Sequence, residues 1–358
     1  MKRIPFSEKE LNVVREIPDI GPDRPNIPIY DFPVTPREAF LAAMNKEPIW
    51  QISSLESSPF CPIIFPDNVA RAFGVEATPL AREDFGGKDM FGIEWEYVEV
   101  ADGSMVRPGN PLFADANDWE EKVVFPDIDT WDWEGSAKAN NEYLNNGFAH
   151  MGWIMNGYYE RLISFMDFEN AAVALIDEDQ QDGVRALFEK LTDLYIKIVD
   201  KFLEHYNIDG FTVHDDWGSQ KAPFFSPTTA QEIIVPAMKR LTDHIHSKGK
   251  LADLHSCGHL EMQVPSIIAA GWDSWTPQPM NNTHMMYEKY GDQIILGVIP
   301  EDFPENASEE VQKAEAAKFV DKFCNPDRPA AVSLYASNLV TPIFRKELYR
   351  LSRIKFGQ

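Results

Sequence analysis

The sequence predicts an α/β fold, a (β/α)8 TIM-type barrel with an N-terminal extension and a hairpin. Short apolar strands alternate with longer helical segments in the second half of the chain, which is typical of a parallel sheet. The length of 358 residues suits a single α/β barrel domain. About five strand–helix cycles after residue 150 favour a closed barrel over a small open sheet.

Composition and charge narrow the class of protein. The formal net charge is −24, from 33 basic and 57 acidic residues, which argues against nucleic acid and anionic membrane surfaces as partners. The three cysteines are too few and too scattered for a disulfide framework. There is no signal peptide and no apolar run of membrane-spanning length, so we expect a cytoplasmic protein. A homodimer is compatible with the sequence, which leaves the oligomeric state open.

The first part of the chain contains few regular elements. Residues 1–34 are rich in proline and predict an extended arm, followed by a single barrel domain over residues 35–358. A helix begins after Thr35, because Thr35 and Glu38 form a capping box around Pro36. Residues 91–108 alternate, turn at Asp102-Gly103 and resume, which predicts a β-hairpin. Residues 109–150 are expected to be mostly loop.

From residue 150 the pattern becomes regular, and strands and helices alternate. The predicted helices cover about 157–178, 182–206, 227–248, 259–270, 283–290 and 308–324, with another from residue 342; the predicted strands are 210–213, 251–254, 272–275, 294–297 and 330–335.

Polar residues follow the predicted strands directly. In parallel α/β folds the functional residues lie at the carboxyl ends of the strands. Two strands run into 214–216 (HDD) and 255–257 (HSC), and two later strands run into Gln278 and Tyr335. We therefore expect one site built around 214–216 and 255–257, with Gln278 and Tyr335 as substrate contacts.

The pair His255-x-Cys257 indicates a metal site. Imidazole and thiolate are preferred zinc ligands, and a spacing of two residues just past a strand lets both bind one ion. A third ligand must come from elsewhere in the chain, and Asp216 is the first candidate, ahead of Tyr335 and Cys324. The alternative is a structural histidine beside a small buried cysteine, which the spacing alone leaves open.

The neighbouring run supplies candidate catalytic residues. Adjacent carboxylates at a strand end point to opposite sides, so we expect one functional and one structural aspartate among Asp215 and Asp216. His214 completes the candidate catalytic set. Trp217, and Tyr158 in the aromatic stretch 153–165, are candidate walls for a flat substrate, although such stretches also form ordinary core.

These motifs together resemble the uroporphyrinogen decarboxylase superfamily. The resemblance rests on 214–220 (HDDWGSQ), Ser226-Pro227 and 255–258 (HSCG), and it spans about residues 150–355. Members share a (β/α)8 barrel and divide into decarboxylases and zinc-dependent methyltransferases that exchange a methyl group with a corrinoid protein.

The residues favour the methyltransferase branch. The Arg-Gln-Ala-Gly-Arg motif of the decarboxylases has no counterpart in the first 60 residues. The methyltransferases carry His-x-Cys, which His255 and Cys257 match, and a later cysteine, where this chain has Tyr335. The chain is similar to methyltransferase components of corrinoid-dependent O-demethylases. The resemblance thus implies zinc in this chain and cobalamin carried by a partner protein. It also implies a small-molecule methyl donor, for which we expect an aryl methyl ether.

Two other functions stay open at this point. The first is a metal-free decarboxylase of the uroporphyrinogen decarboxylase type, in which Asp215 or Asp216 stabilises a protonated intermediate. The second is a non-catalytic barrel that binds a tetrapyrrole or a corrinoid partner.

Overall fold

The structure is a computed structural model and describes residues 4–17, 26–101, 103–304, 306–336, 339 and 341–357. The chain forms two compact units. The terminal unit comprises residues 1–58, 147–149 and 274–358, and the central unit comprises residues 59–146 and 150–273. The division into an arm and one domain over 35–358 stays a prediction.

The described residues form twelve strands, namely β1 (Val13–Ile17), β2 (Ile27–Tyr30), β3 (Ser57–Phe60), β4 (Gly87–Lys88), β5 (Glu94–Val98), β6 (Gly103–Val106), β7 (Ala149–Ile154), β8 (Gly210–His214), β9 (Leu251–His255), β10 (Ser274–Trp275), β11 (Ile295–Val298) and β12 (Ala330–Val332). Their helices are α1 (Pro36–Met44), α2 (Pro66–Ala70), α3 (Trp119–Lys122), α4 (Trp133–Asn140), α5 (Tyr159–Ala174), α6 (Gln181–His205), α7 (Pro227–Thr229), α8 (Val235–Ser247), α9 (Val264–Ala269), α10 (Thr283–Tyr290), α11 (Glu309–Phe323) and α12 (Pro342–Phe356).

The main sheet confirms the predicted α/β TIM-type barrel. It contains seven strands in the order β12-β11-β10-β9-β8-β7-β3. β7, β8 and β9 pair in parallel, as do β10, β11 and β12, and helices connect successive strands. Of the eight strands that were expected, the described residues supply seven to this sheet.

The first 150 residues hold more structure than predicted. Within its described part, the expected extended arm contains a 3₁₀ turn, Glu8–Leu11, and the antiparallel pair β1–β2. The expected hairpin is confirmed as β5–β6, with β4 as a third strand. A 3₁₀ turn at Glu99–Ala101 precedes β6, and Asp102 lies outside the described residues. The region 109–150, expected to be loop, contains α3, α4 and the start of β7.

The capping box predicted at Thr35 is confirmed, and other helix ends are capped in familiar ways. Thr35 Oγ1 accepts from the Glu38 amide at 3.2 Å, and the Glu38 carboxylate accepts from the Thr35 amide at 2.8 Å. Ser226 caps α7 by accepting from the Thr229 amide at 3.0 Å. After α8 the chain turns at Gly249 with φ +69°, a left-handed conformation that glycine adopts without strain.

One predicted helix is interrupted. The segment expected as a continuous helix over 227–248 forms α7, a π-helical turn at Ala230–Ile234 and then α8. Pro236 lies at the start of α8. Because proline lacks an N–H and its ring clashes with the carbonyl four residues earlier, a wider turn before it accommodates the chain.

The core of the central unit is built on an amphipathic helix. α6 buries one face completely, through Val184, Leu187, Phe188, Leu191, Tyr195, Ile198, Val199 and Phe202. The spacing of three and four residues places these side chains on one stripe, as expected for a helix that covers a sheet. Within the described residues, no helix combines the length and the apolar character that crossing a bilayer requires.

A buried ionic cluster fixes the start of α5. The Arg161 guanidinium is fully buried and pairs with the carboxylates of Asp67 and Asp89, the latter at 2.7 Å. Asp89 also accepts from the Trp95 indole at 3.0 Å, and Asp67 accepts from the Met90 amide at 2.9 Å. The two ion pairs and these neutral donors stabilise the buried carboxylates, so the cluster ties α5 to the segment 67–95.

This cluster predicts a large difference between two arginine substitutions. Arg161→Met leaves two carboxylates buried without their cation, so we expect the free energy of unfolding to fall by about 3–5 kcal/mol. Arg240→Met is the matched control, because Arg240 also bridges two carboxylates, those of Glu189 and Asp193, but its side chain is 42% exposed. That change should cost at most about 1 kcal/mol. Urea denaturation of both variants measures the difference, and equal losses would contradict the buried cluster.

Candidate functional site

The carboxyl ends of β8 and β9 bring two histidines face to face. In the parallel register of these strands, His214 lies opposite His255. Their imidazole rings stack, with centroids 4.6 Å apart and planes 14° from parallel. Because paired residues on neighbouring strands point to the same side of the sheet, this register alone puts both rings at one position.

The side chains of Asp216 and Cys257 lie close to the two imidazoles. The ligand atoms of His214, Asp216 and His255 all lie within 4.8 Å of one another, close enough to hold one metal ion. Cys257 Sγ is 3.5 Å from His255 Nε2, and the Cys257 amide donates to Asp216 Oδ1 at 2.7 Å. The expected ligands His255, Cys257 and Asp216 are therefore brought together. His214, expected to be catalytic, takes a position equivalent to theirs.

The two strand-end loops are joined by backbone contacts. The Asp215 amide donates to the His255 carbonyl at 2.9 Å, and the His259 amide donates to the Ser219 carbonyl at 2.8 Å. Gly258 has φ +104°, and a Cβ there would lie 2.4 Å from the Gly218 carbonyl carbon. Only glycine permits this approach, so the spacing of the donor groups is set by backbone rather than by flexible side chains.

The Asp215 carboxylate is fully buried and surrounded by hydrogen-bond donors. Its buried carboxylate accepts from the amides of Tyr159 and Glu160 at 3.2 and 2.8 Å, at the start of α5, and from the Trp217 indole at 2.9 Å. Burial, together with the nearby Glu160 carboxylate, raises the pKa of Asp215 to about 6. These hydrogen bonds favour Asp215 as the structural aspartate and Asp216 as the functional one, and the catalytic roles of both stay predictions.

Two predicted substrate contacts are buried instead of lining the site. Trp217 is fully buried, and its indole N–H holds Asp215. Tyr158 is also fully buried, and its hydroxyl bonds to Thr192 Oγ1 at 2.8 Å and to the Ala237 carbonyl at 3.2 Å. These contacts favour a supporting role for both side chains over the substrate contact that the sequence indicated.

The other predicted residues belong to the terminal unit. Gln278 follows β10, and its backbone carbonyl accepts from the Asn281 amide at 3.0 Å. Tyr335 follows β12 and is half-buried. Cys324 caps the end of α11, packs in an apolar cluster and donates to Gln51 Oε1 at 3.1 Å. Its surroundings are those of a structural thiol, which weakens its candidacy as a metal ligand. Substrate contact by Gln278 and Tyr335 stays a prediction.

Sequence reasoning missed two charged residues beside the histidines. Glu160 Oε2 accepts from His214 Nδ1 at 2.5 Å, and Glu160 Oε1 accepts from Arg71 Nη1 at 2.9 Å. Arg71 Nη2 lies 3.4 Å from each ring nitrogen of His214. Glu160 follows β7, a strand that was not predicted. Because functional residues were sought only after predicted strands, Glu160 was not identified.

The electrostatics of the cluster suit a cation. Burial and the neighbouring His214 lower the pKa of His255 to about 3, which keeps that imidazole neutral and able to ligate. Burial and the Asp216 carboxylate raise the pKa of the Cys257 thiol far above its usual range. Burial alone would raise the pKa of Glu160, but Arg71 and His214 hold it well below its usual range. A bound cation would favour the anionic forms of Asp216 and Cys257.

An aromatic wall, formed by Phe73 and Trp153, stands beside the histidines. The Trp153 ring centroid is 5.4 Å from that of His255 and 6.2 Å from that of His214, and the Phe73 ring is 5.1 Å from Trp153. Trp153 is half-buried and Phe73 is 37% exposed. Both rings are therefore partly accessible to a ligand at this end of the strands.

The end of α2 presents both Arg71 and Phe73 to this site. The amide of Phe73 donates to the Asn68 carbonyl at 2.9 Å and that of Ala72 to the Val69 carbonyl at 3.0 Å, which forms a Schellman motif. Ala72 has φ +59°, the left-handed conformation that this motif requires and that glycine usually supplies. The chain therefore reverses direction at Ala72, with Arg71 beside His214 and Phe73 against Trp153.

Solved structures align with this chain at different levels of similarity. A methyltransferase from Methanosarcina mazei aligns with a TM-score of 0.59 at 16% identity, covering 91% of this chain and 100% of that chain. D-psicose 3-epimerase aligns with a TM-score of 0.34 at 9% identity, covering 63% of this chain and 82% of its own. An α-galactosidase from Saccharomyces cerevisiae aligns with a TM-score of 0.32 at 10% identity, covering 66% of this chain and 52% of its own. No family model and no curated protein matches the chain.

The strained residue between Arg71 and Phe73 predicts a stabilising substitution. Ala72→Gly should raise the free energy of unfolding by about 1 kcal/mol, because a left-handed non-glycine residue costs roughly 1–2 kcal/mol and part of that gain is lost to backbone entropy. The control is Ala139→Gly on the exposed side of α4, where the same change should destabilise by about 1 kcal/mol. Chemical denaturation compares the two, and a loss of stability in both variants would contradict the left-handed assignment.

Proposed function

We propose that the chain is a zinc-dependent methyltransferase that moves a methyl group from an aryl methyl ether to the Co(I) corrinoid of a separate protein. The observation that carries the proposal is the convergence of His214, Asp216 and His255 within 4.8 Å, beside Cys257 and an aromatic wall. The fold shared with a methyltransferase supports it, as does the resemblance of the 214–220 and 255–258 motifs to the uroporphyrinogen decarboxylase superfamily.

The donor set fits zinc. Imidazole nitrogen, carboxylate oxygen and thiolate sulfur are the three ligand types that zinc takes in proteins. His214, His255 and Asp216 would hold the ion, and Cys257 is close enough to His255 to complete the site. When bound, zinc supplies Lewis-acid stabilisation of the negative charge that remains on the departing oxygen.

The aromatic wall supports an aromatic methyl donor. Trp153 and Phe73 are both partly exposed; the Trp153 ring lies 5.4 Å from that of His255, and the Phe73 ring lies 5.1 Å from Trp153. An aryl ring stacked on this wall would bring a methoxy substituent to the metal donors. Aliphatic donors would gain less from the same surface, because offset and edge-to-face ring contacts add to the burial of apolar area.

The transfer itself breaks the ether C–O bond. The methyl group passes to the Co(I) corrinoid of the partner, and the bonding electrons stay on the oxygen of the product phenolate. Asp215 keeps three hydrogen bonds at the start of α5, so it holds the loop in place rather than meeting the substrate. Of the two carboxylates, Asp216 is the one available to metal or substrate.

Two alternatives make different demands on the same residues. A metal-free decarboxylase would need an acidic side chain but no zinc, and a non-catalytic binding barrel would need neither. The raised pKa of Asp216, caused by burial and by the Glu160 carboxylate, is compatible with the decarboxylase. Metal content is therefore the property that separates the proposal from both.

We expect metal-replete protein to bind about one zinc ion per chain, as a site with three or four protein ligands requires. His255→Ala and Asp216→Ala should each weaken zinc binding by more than about 100-fold, beyond the range typical of residues outside the ligand set. His244→Ala removes an imidazole that pairs with Asp200 outside the site and serves as the control. Elemental analysis and chelator competition measure this, and a wild-type protein without zinc would contradict the proposal and leave the decarboxylase and the binding barrel.

We further expect methyl-corrinoid to form when enzyme, Co(I) corrinoid protein and a methoxyarene are mixed. Trp153→Leu and Phe73→Leu should raise KM for the methoxyarene by about 2- to 12-fold, the equivalent of a lost ring contact of 0.5–1.5 kcal/mol, and should leave zinc content unchanged. Phe168→Leu, at a phenylalanine of α5 that is 47% exposed, is the control. No turnover across a broad panel of methoxyarenes would reject the substrate class.

A further inference from the structure

We propose that Glu160, held in place by Arg71, is a positioning residue that makes His214 a metal ligand. This inference rests on the metal site of the proposed function and extends it to residues that contact the ligands from outside. It assigns the site two imidazoles, whereas the sequence motif indicated one imidazole and one thiolate as its centre.

The contact between Glu160 and His214 fixes the imidazole. The carboxylate can only accept, so the 2.5 Å contact requires that His214 Nδ1 carry the hydrogen. The other ring nitrogen, Nε2, is then the one left for a metal ion, and Arg71 Nη2, 3.4 Å from it, must give up that contact when the ion binds. Both side chains are only 11% exposed, so water competes little for this hydrogen bond. A carboxylate that binds the second nitrogen of a ligating histidine orients the ring and increases its basicity.

Arg71 fixes the carboxylate in turn. It donates to Glu160 Oε1 at 2.9 Å, while His214 uses Oε2, so each oxygen has its own partner. The Arg71 guanidinium also lies 5.0 Å from the Trp95 ring centroid, and its side chain is 16% exposed. The Arg71 charge balances that of Glu160. The pair therefore orients His214 without adding net negative charge that would compete with Asp216 for the cation.

A purely structural role makes a different prediction. Glu160 is the second residue of α5, where a carboxylate is favourable for the helix dipole in any case. On that account the loss of Glu160 would change stability by about 0.3–1 kcal/mol and leave metal affinity unaltered. Metal affinity is thus the readout that separates positioning from helix stabilisation.

The test compares zinc affinity, by competition with a chromophoric chelator, in wild type, Glu160→Gln and Asp200→Asn. Asp200 accepts from His244 at 2.9 Å outside the site, so Asp200→Asn removes a matched carboxylate–imidazole contact. We expect Glu160→Gln to bind zinc about 10- to 100-fold more weakly than wild type and Asp200→Asn to bind it equally well. Affinity of Glu160→Gln within twofold of wild type would overturn the inference.

A second measurement needs no variant. In wild-type protein labelled with ¹⁵N-histidine, zinc should shift the Nε2 signal of His214 and leave its Nδ1 protonated. An unshifted His214 signal in zinc-loaded protein would overturn the inference even where Glu160→Gln fails to fold. The failure of the proposed function is distinguishable, because it is seen as wild-type protein that binds no zinc, or that binds zinc and transfers no methyl group.

Discussion

The parallel pairing of β8 with β9 is the constraint on which the site depends. Its register sets His214 opposite His255 and so stacks two imidazoles at 4.6 Å. The loops that follow are then joined by backbone hydrogen bonds and by the close approach of Gly258 to Gly218. A shift of the pairing by one residue would turn one imidazole to the opposite face of the sheet. Strand register, rather than any single side chain, therefore brings the donor groups together.

Charge balance is the second constraint, and it acts through burial. Glu160 and Asp216 lie near each other with little water. Arg71 and His214 pair with Glu160, and both also favour the ionised form of Asp216. Burial lowers the pKa of His255 and raises that of the Cys257 thiol, so both favour their neutral forms. Burial alone would lower the pKa of His214, but the Glu160 carboxylate raises it, so His214 and Arg71 supply the positive charge of the cluster. A divalent cation bound beside Asp216 and Cys257 would favour the anionic form of both side chains.

Much of the framework could be predicted from the sequence, because strands and helices after residue 200 have clear periods and caps. The strand ends at 214–216 and 255–257 followed directly from that pattern. β7 (Ala149–Ile154) could not be predicted, since it has no alternation and follows an irregular region; Glu160, just beyond it, was missed for the same reason. Arg71 comes from a distant helix end that no spacing rule connects to the site. The burial of Trp217 and Tyr158 depends on packing, which an aromatic-rich pattern does not determine.

X-ray absorption at the zinc edge of the metal-loaded protein tests the central claim most directly, since it counts the ligand atoms. Scattering from two imidazoles at about 2.0–2.1 Å, one oxygen at a similar distance and at most one sulfur at about 2.3 Å is the result that this account requires. A first shell with two or more sulfurs, or with fewer than two imidazoles, would contradict it.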